Sequence, residues 1–299
     1  MPLTENLSIN ANSTRADILS KVEPEDFAWA VPIMRAGYAG RGLVYLVVAV
    51  VSLWSMWQGG EAQGTKEAML ALDGIWGMLV VALVAAGMFA YAIWRLVDSF
   101  WDLEAYGTEL KGIIARCGMV VTGLAHAGIG VLAITALGLR SSSGSGTGKI
   151  LSAVLQAPGG NVALGLAGIL TMGAGCYYIH QGVAQTYREH LAANHFTMNW
   201  NWALRAGVVA QGIIVFIIGG LILYAAMKSN PSQVGGLGTV FEWLREQPYG
   251  QILVAGLCVG LLGFSLFCFV NAANRIIPKA ADDSTLTMTA ALKRKMAEI

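Results

Sequence analysis

Six stretches of this chain run without a single Asp, Glu, Lys or Arg: residues 42–60, 74–94, 117–139, 150–187, 206–227 and 247–274. A helix crosses the ~30 Å hydrocarbon layer with roughly 20 apolar residues at about 1.5 Å each, so five of these stretches suit one span apiece. The fourth is longer, but Pro158-Gly159-Gly160 ends a short interfacial segment before a span that begins near Asn161. The expected fold is an all-α integral membrane protein with six transmembrane helices. Composition excludes a soluble domain: 12% of residues are charged and 56% hydrophobic, where globular proteins carry ~25% charged residues.

The spans recur in pairs. Arg35-Ala36-Gly37 precedes Arg41-Gly42-Leu43, Arg116-Cys117-Gly118 precedes Thr122-Gly123-Leu124, and Arg205-Ala206-Gly207 precedes Gln211-Gly212-Ile213. The even-numbered spans repeat Gly87-x3-Tyr91, Gly173-x3-Tyr177 and Gly263-x3-Phe267. This periodicity predicts three repeated helical hairpins about a pseudo-threefold axis, over 31–102, 112–190 and 201–277, between an arm at 1–30 and a tail at 278–299. Short amphipathic segments are expected in the connections at 66–72, 149–156 and 239–245. An amphipathic helix broken at Pro24 is expected within 17–30, and Asp283 or Ser284 is placed to cap a final helix bearing Lys293, Arg294 and Lys295.

Of 19 Lys and Arg residues, 14 fall on the side that holds both termini. The positive-inside rule therefore predicts cytoplasmic termini and a bacterial inner-membrane location. Residues 1–30 lack an apolar core, so no cleavable signal peptide is expected. All nine tryptophans fall near predicted span ends, as an aromatic belt requires. Cys117, Cys176, Cys258 and Cys268 lie inside spans and read as small packing residues. No basic patch supports a nucleic-acid partner; lipids and other membrane subunits are the partners expected.

The segments Arg35-Ala-Gly-Tyr38-x2-Arg41-Gly42, Gly87-x3-Tyr91-x2-Trp94-Arg95 and Asn274-Arg275 resemble the bacterial membrane family catalogued as domain of unknown function 1206, over about residues 31–277. The resemblance implies three tandem two-span repeats and carries no activity. The first repeat matches best. The second departs at Met119 and Thr122 and the third at Val208 and Gln211, where the tyrosine and second arginine would stand.

Several residues are candidates for chemistry. Arg35, Arg116 and Arg205, with Arg41, sit where they could ring an inner mouth and attract anions, or snorkel to lipid phosphate. Arg95 and Asp98 are one turn apart and suit an ion pair or a proton relay. His126 lies near mid-membrane and His180 nearer the inner end of the fourth span. Two histidines on adjacent spans could ligate a haem, but their depths differ by roughly 5–10 Å at the helical rise, which favours a hydrogen-bonded core histidine. His190 and His195 form a weaker pair for a surface metal. Gly256-x3-Gly260 matches a helix-packing motif.

No zinc-protease, phosphate-loop, nucleophile-elbow or dinucleotide motif is present. Polar residues counted deep in the spans are few (Ser52, Thr122, His126, Thr135, Thr171, Gln211 and Ser265). A tight, mostly dry interior is therefore expected, with no catalysis, metal or cofactor. The reading is a non-catalytic accessory, assembly or lipid-interacting component of a membrane complex. The alternative is a channel or transporter along the pseudo-threefold axis.

Overall fold

The computed structural model describes residues 24–138, 159–228, 236–280 and 287–297. Its six long helices are α1 (Ala30–Trp57), α2 (Gly74–Trp101), α3 (Leu110–Gly138), α4 (Gly160–Ala184), α5 (Asn201–Lys228) and α6 (Gly250–Asn274). Each is long and apolar enough to cross a bilayer, so the chain is a multi-pass membrane protein. Short helices at Thr65–Leu70 and Leu237–Arg245 fall in the expected connections. The third such connection, residues 17–23 of the expected arm helix and the cap at Asp283 or Ser284 lie outside the described residues. Pro24–Phe27 is a 3-10 helix, and Met288–Ala297 forms the last helix.

Helix packing follows chain order with one interruption. Helix α1 packs on α2 and α6, α2 on α3, α5 on α6 and α4 on α5, but α3 and α4 do not pack along each other. The first and third repeats thus close as hairpins. The second is open, and the series does not close around an axis.

Glycine explains which contacts are made. A Cβ on Gly40 would collide with the backbone of Gly87, and one on Gly37 would come 2.6 Å from Tyr91 Cα. Gly207 meets Gly263 and Phe264 in the same way. Small residues let two backbones cross at such short range, where dispersion and packing drive association in lipid. Between α4 and α5 a seven-residue spacing takes over: Gly168, Gly175 and Gly182 face Leu223, Phe216 and Val209. Gly212 and Gly219 return the contact against Ile179 and Met172. Of the Gly256-x3-Gly260 pair, Gly260 packs on Ala210 while Gly256 faces open space.

The two ends of the bundle are stitched differently. At the end bearing the starts of α1, α3 and α5, here called the terminal side, backbone bonds join Ile276 N to His190 O at 2.9 Å and Ala192 N to Asn274 O at 2.9 Å. Lys279 Nζ donates to Trp101 O at 2.8 Å. At the opposite end Glu61 pairs with Arg245, and Gly64 lies beside Gly238. Eight of the nine tryptophans are exposed at span ends or connections, but Trp94 is fully buried among the spans, which corrects its expected belt position.

Glycine-to-leucine changes at the crossings should be costly and those at open glycines should not. Gly87→Leu and Gly175→Leu are expected to lose roughly 1–3 kcal/mol or more by overpacking. Gly118→Ala and Gly173→Ala, which meet nothing, should be neutral or gain up to about 1 kcal/mol of helix propensity. Thermal unfolding in detergent checks both.

Candidate functional site

Buried and half-buried polar side chains gather on the terminal half of the bundle, and every span contributes. Arg41 of α1 is the deepest charge, 11 residues after Ala30 and so about 16 Å along the helix. Only 3% of it is exposed. Its Nη1 donates to Tyr91 Oη at 3.0 Å and its Nη2 to Tyr178 Oη at 3.3 Å. Four rings surround the guanidinium: Phe264 at 4.9 Å, Tyr91 at 5.1 Å, Tyr45 at 5.8 Å and Tyr178 at 6.0 Å. All lie within the range of cation–π attraction. Among the described residues no carboxylate lies within 4 Å of it, and its Nε has no hydrogen-bonding partner.

Tyr91 connects Arg41 to the rest. Its hydroxyl also accepts from Arg95 Nε at 3.0 Å. Arg95 Nη1 pairs with Asp98 Oδ2 at 3.2 Å and Nη2 reaches Tyr38 Oη at 3.5 Å. The Arg275 guanidinium lies 5.3 Å from the Tyr38 ring and donates through Nε (3.1 Å) and Nη2 to Glu104 Oε1. Tyr106 Oη donates to Glu104 Oε2 at 3.0 Å, and His190 Nε2 stands 3.9 Å from the same oxygen. A continuous polar series therefore runs from the terminal-side loops to Arg41. Beyond Arg41 the interior turns apolar, through Val44, Val47, Val48, Val81, Val84 and Leu261.

A rigid turn places Glu104. Asp102 and Ala105 both adopt the left-handed region, at φ 49° and 55°, which non-glycine residues seldom do. The Asp102 carboxylate accepts from Tyr106 N and Gly107 N, each at 2.8 Å, and holds the turn. Burial by itself would raise the Glu104 pKa. Arg275 above all, then His190 and Arg95, outweigh it and hold the carboxyl well below the usual range.

His126 lies in this series and His180 does not. His126 is buried, 4.6 Å from the Tyr91 ring, with Nδ1 at 2.7 Å from Thr122 O. A carbonyl only accepts, so Nδ1 carries the proton and Nε2 is left as an acceptor, without a partner among the described residues. His180 is exposed on α4, so the two are not brought together as a haem pair. His190 faces Glu104 while His195 contacts Asn199, so these two are also apart.

The arginines that open the repeats do not form a ring. Arg35 and Arg205 lie on exposed faces. Arg116 instead donates to Ser99 O at 2.6 Å and Phe100 O at 3.2 Å, capping the carbonyl end of α2 where a cation is favourable. The expected scarcity of deep polar groups is corrected, because it leaves out Tyr38, Tyr91, Tyr178, Arg41, Arg95 and Arg275. Their signal was present. Tyr38, Arg41, Tyr91, Arg95 and Arg275 all belong to the three segments that carry the family resemblance.

Known proteins match this chain in sequence. The family described as Domain of Unknown Function (DUF1206) matches residues 36–102, 117–185 and 206–275. A curated relative from Bacillus subtilis (strain 168), the uncharacterized protein YxxB, is 23% identical over 261 residues, covering 85% of this chain and 94% of its own length. No solved structure matches.

Two substitutions separate structural from functional charge. Glu104→Gln breaks a buried pair and should cost roughly 3–5 kcal/mol. A depressed carboxyl stabilises fully above its unfolded pKa of about 4.3 and loses that contribution as pH falls towards the folded value. The stability gap between wild type and Glu104→Gln should therefore be constant near neutrality and narrow below about pH 4. Arg41→Met removes a buried cation without stranding a carboxylate and should cost less than Glu104→Gln. Melting curves across pH measure both.

Proposed function

The chain belongs to the DUF1206 family, and from the chemistry of its interior we propose that it is a non-catalytic membrane protein that binds an anionic group at Arg41. The supporting observation is Arg41 itself: a buried guanidinium in an aromatic cage with no carboxylate beside it among the described residues. Removing such a charge from water costs several kcal/mol unless an opposite charge accompanies it. The neighbouring arginines each have an acid, so Arg41 is the position where an incoming anion gains most.

The polar series opens toward the side that carries most of the Lys and Arg residues. By the positive-inside rule that side is cytoplasmic, and the membrane is the bacterial inner membrane. The apolar layer beyond Arg41 argues for binding over conduction. Among accessory, assembly and lipid-interacting roles, an anion-binding centre inside the spans favours the last, and this role requires neither a cofactor nor a metal.

Short-chain phosphatidic acid should raise the melting temperature of the detergent-solubilised protein, while short-chain phosphatidylcholine should not. At ligand near 100 times Kd the gain is about 2.7 kcal/mol, and Arg41→Gln should abolish it. Absence of any anion preference would overturn this reading. Solute flux in liposomes that depends on Arg41 would replace it with the transport alternative.

A further inference from the structure

Repeats 1 and 3 close their hairpins on glycine, and repeat 2 leaves the same glycines bare. Gly118 aligns with Gly37 and Gly207, and Gly173 aligns with Gly87 and Gly263. Among the described residues, and beyond their own helix backbone, nothing lies within 4 Å of the place a Cβ on Gly118 or Gly173 would occupy. Beside them Val121 is 67% and Tyr177 57% exposed. An uncovered stripe by itself identifies no occupant, but the groups behind it do. Tyr178, next along α4, hydrogen-bonds Arg41, and His126 of α3 lies against Tyr91, which Arg41 also holds. Arg41 Nε and His126 Nε2 are both buried without a partner among the described residues.

We propose that the seam between α3 and α4 admits an anionic lipid from the leaflet on the terminal side. Its phosphate displaces the Tyr178 hydroxyl from Arg41, and an acyl chain lies along Gly118 and Gly173. This rests on the anion-binding reading above and names its ligand and route. The Arg41–Tyr178 hydrogen bond is 3.3 Å long, against about 2.7–2.9 Å for a bond between full charges, so the hydroxyl is a weak placeholder for a phosphate oxygen. His126 Nε2, an acceptor, suits a hydroxyl of the headgroup. A second copy docking through the same face would bring α3 and α4 against themselves. Residues 117–139 and 150–187 contain no acid with which to answer Arg41. A soluble anion arriving straight from the terminal side meets the Arg95–Asp98 and Arg275–Glu104 pairs first.

The test uses the full chain in nanodiscs of equal phosphatidylglycerol and phosphatidylcholine, with bound lipid read by native mass spectrometry. Gly118→Trp and Gly173→Trp fill the seam at positions facing open space, and melting temperature verifies their folding. Wild type should retain phosphatidylglycerol over phosphatidylcholine. Arg41→Gln should reduce that retention roughly tenfold, the effect of one lost charge-assisted hydrogen bond, and each tryptophan variant should reduce it by obstructing the seam. Loss in Arg41→Gln with wild-type retention in both tryptophan variants would overturn the lateral seam and leave the anion centre standing. Equal retention of the two lipids by wild type would overturn both. Stabilisation by inorganic phosphate equal to that by phosphatidylglycerol would overturn the lipid as source. Cross-linking of two copies through exposed Cys117 and Cys176 by a short bis-maleimide would put a second copy in the seam and overturn the lipid there.

Discussion

The burial of the Arg41 guanidinium is the constraint around which the terminal half of the bundle is arranged. An ionised side chain at this depth is expensive in hydrocarbon, and the usual remedy, an adjacent carboxylate, is lacking among the described residues. What offsets the cost is aromatic. Each ring over the cation contributes about 0.5–2 kcal/mol, more when water is excluded, and the four rings come from α1, α2, α4 and α6. The spans that meet here are thus held partly by a cation that no described carboxylate answers. Arg95 and Arg275, by contrast, are each matched by an acid.

Close backbone approach makes this arrangement possible. Gly37 and Gly40 bring α1 onto α2 so tightly that Tyr91 lands beside Arg41. On the other face Gly42 lies against the Phe269 ring, and Ser265 Oγ donates to Gly42 O at 2.7 Å, which sets α6 beside the same turn. Helix α4 reaches the centre differently. Its seven-residue glycine row presses it onto α5 and delivers Tyr178 to Arg41, while the rest of the helix remains outside.

Much of this was legible in the sequence, and the misses have physical causes. Charge-free intervals delimit the spans because lipid tolerates little else. The aligned glycines mark real crossings in two repeats. They make none in the second repeat because contact depends on neighbours as well: Gly40 and Ala210 occupy the position where the second repeat has Val121, which stays exposed. Grouping Arg35 with Arg41 at one inner mouth overlooks helix phase. Six residues rotate a helix by about 240° beyond one full turn, so the two point to different faces. Trp94 illustrates the same ambiguity, since an aromatic residue near a span end suits either a belt or a core. Glu104 carried no local signal, because its partner Arg275 lies 171 residues away.

A density map of the protein in nanodiscs containing phosphatidylglycerol measures the central point most directly. An unanswered Arg41 predicts non-protein density against its guanidinium, continuous with density between α3 and α4 along Gly118 and Gly173. A carboxylate of the chain itself on Arg41, or α3 and α4 closed on each other with no density between them, would contradict it.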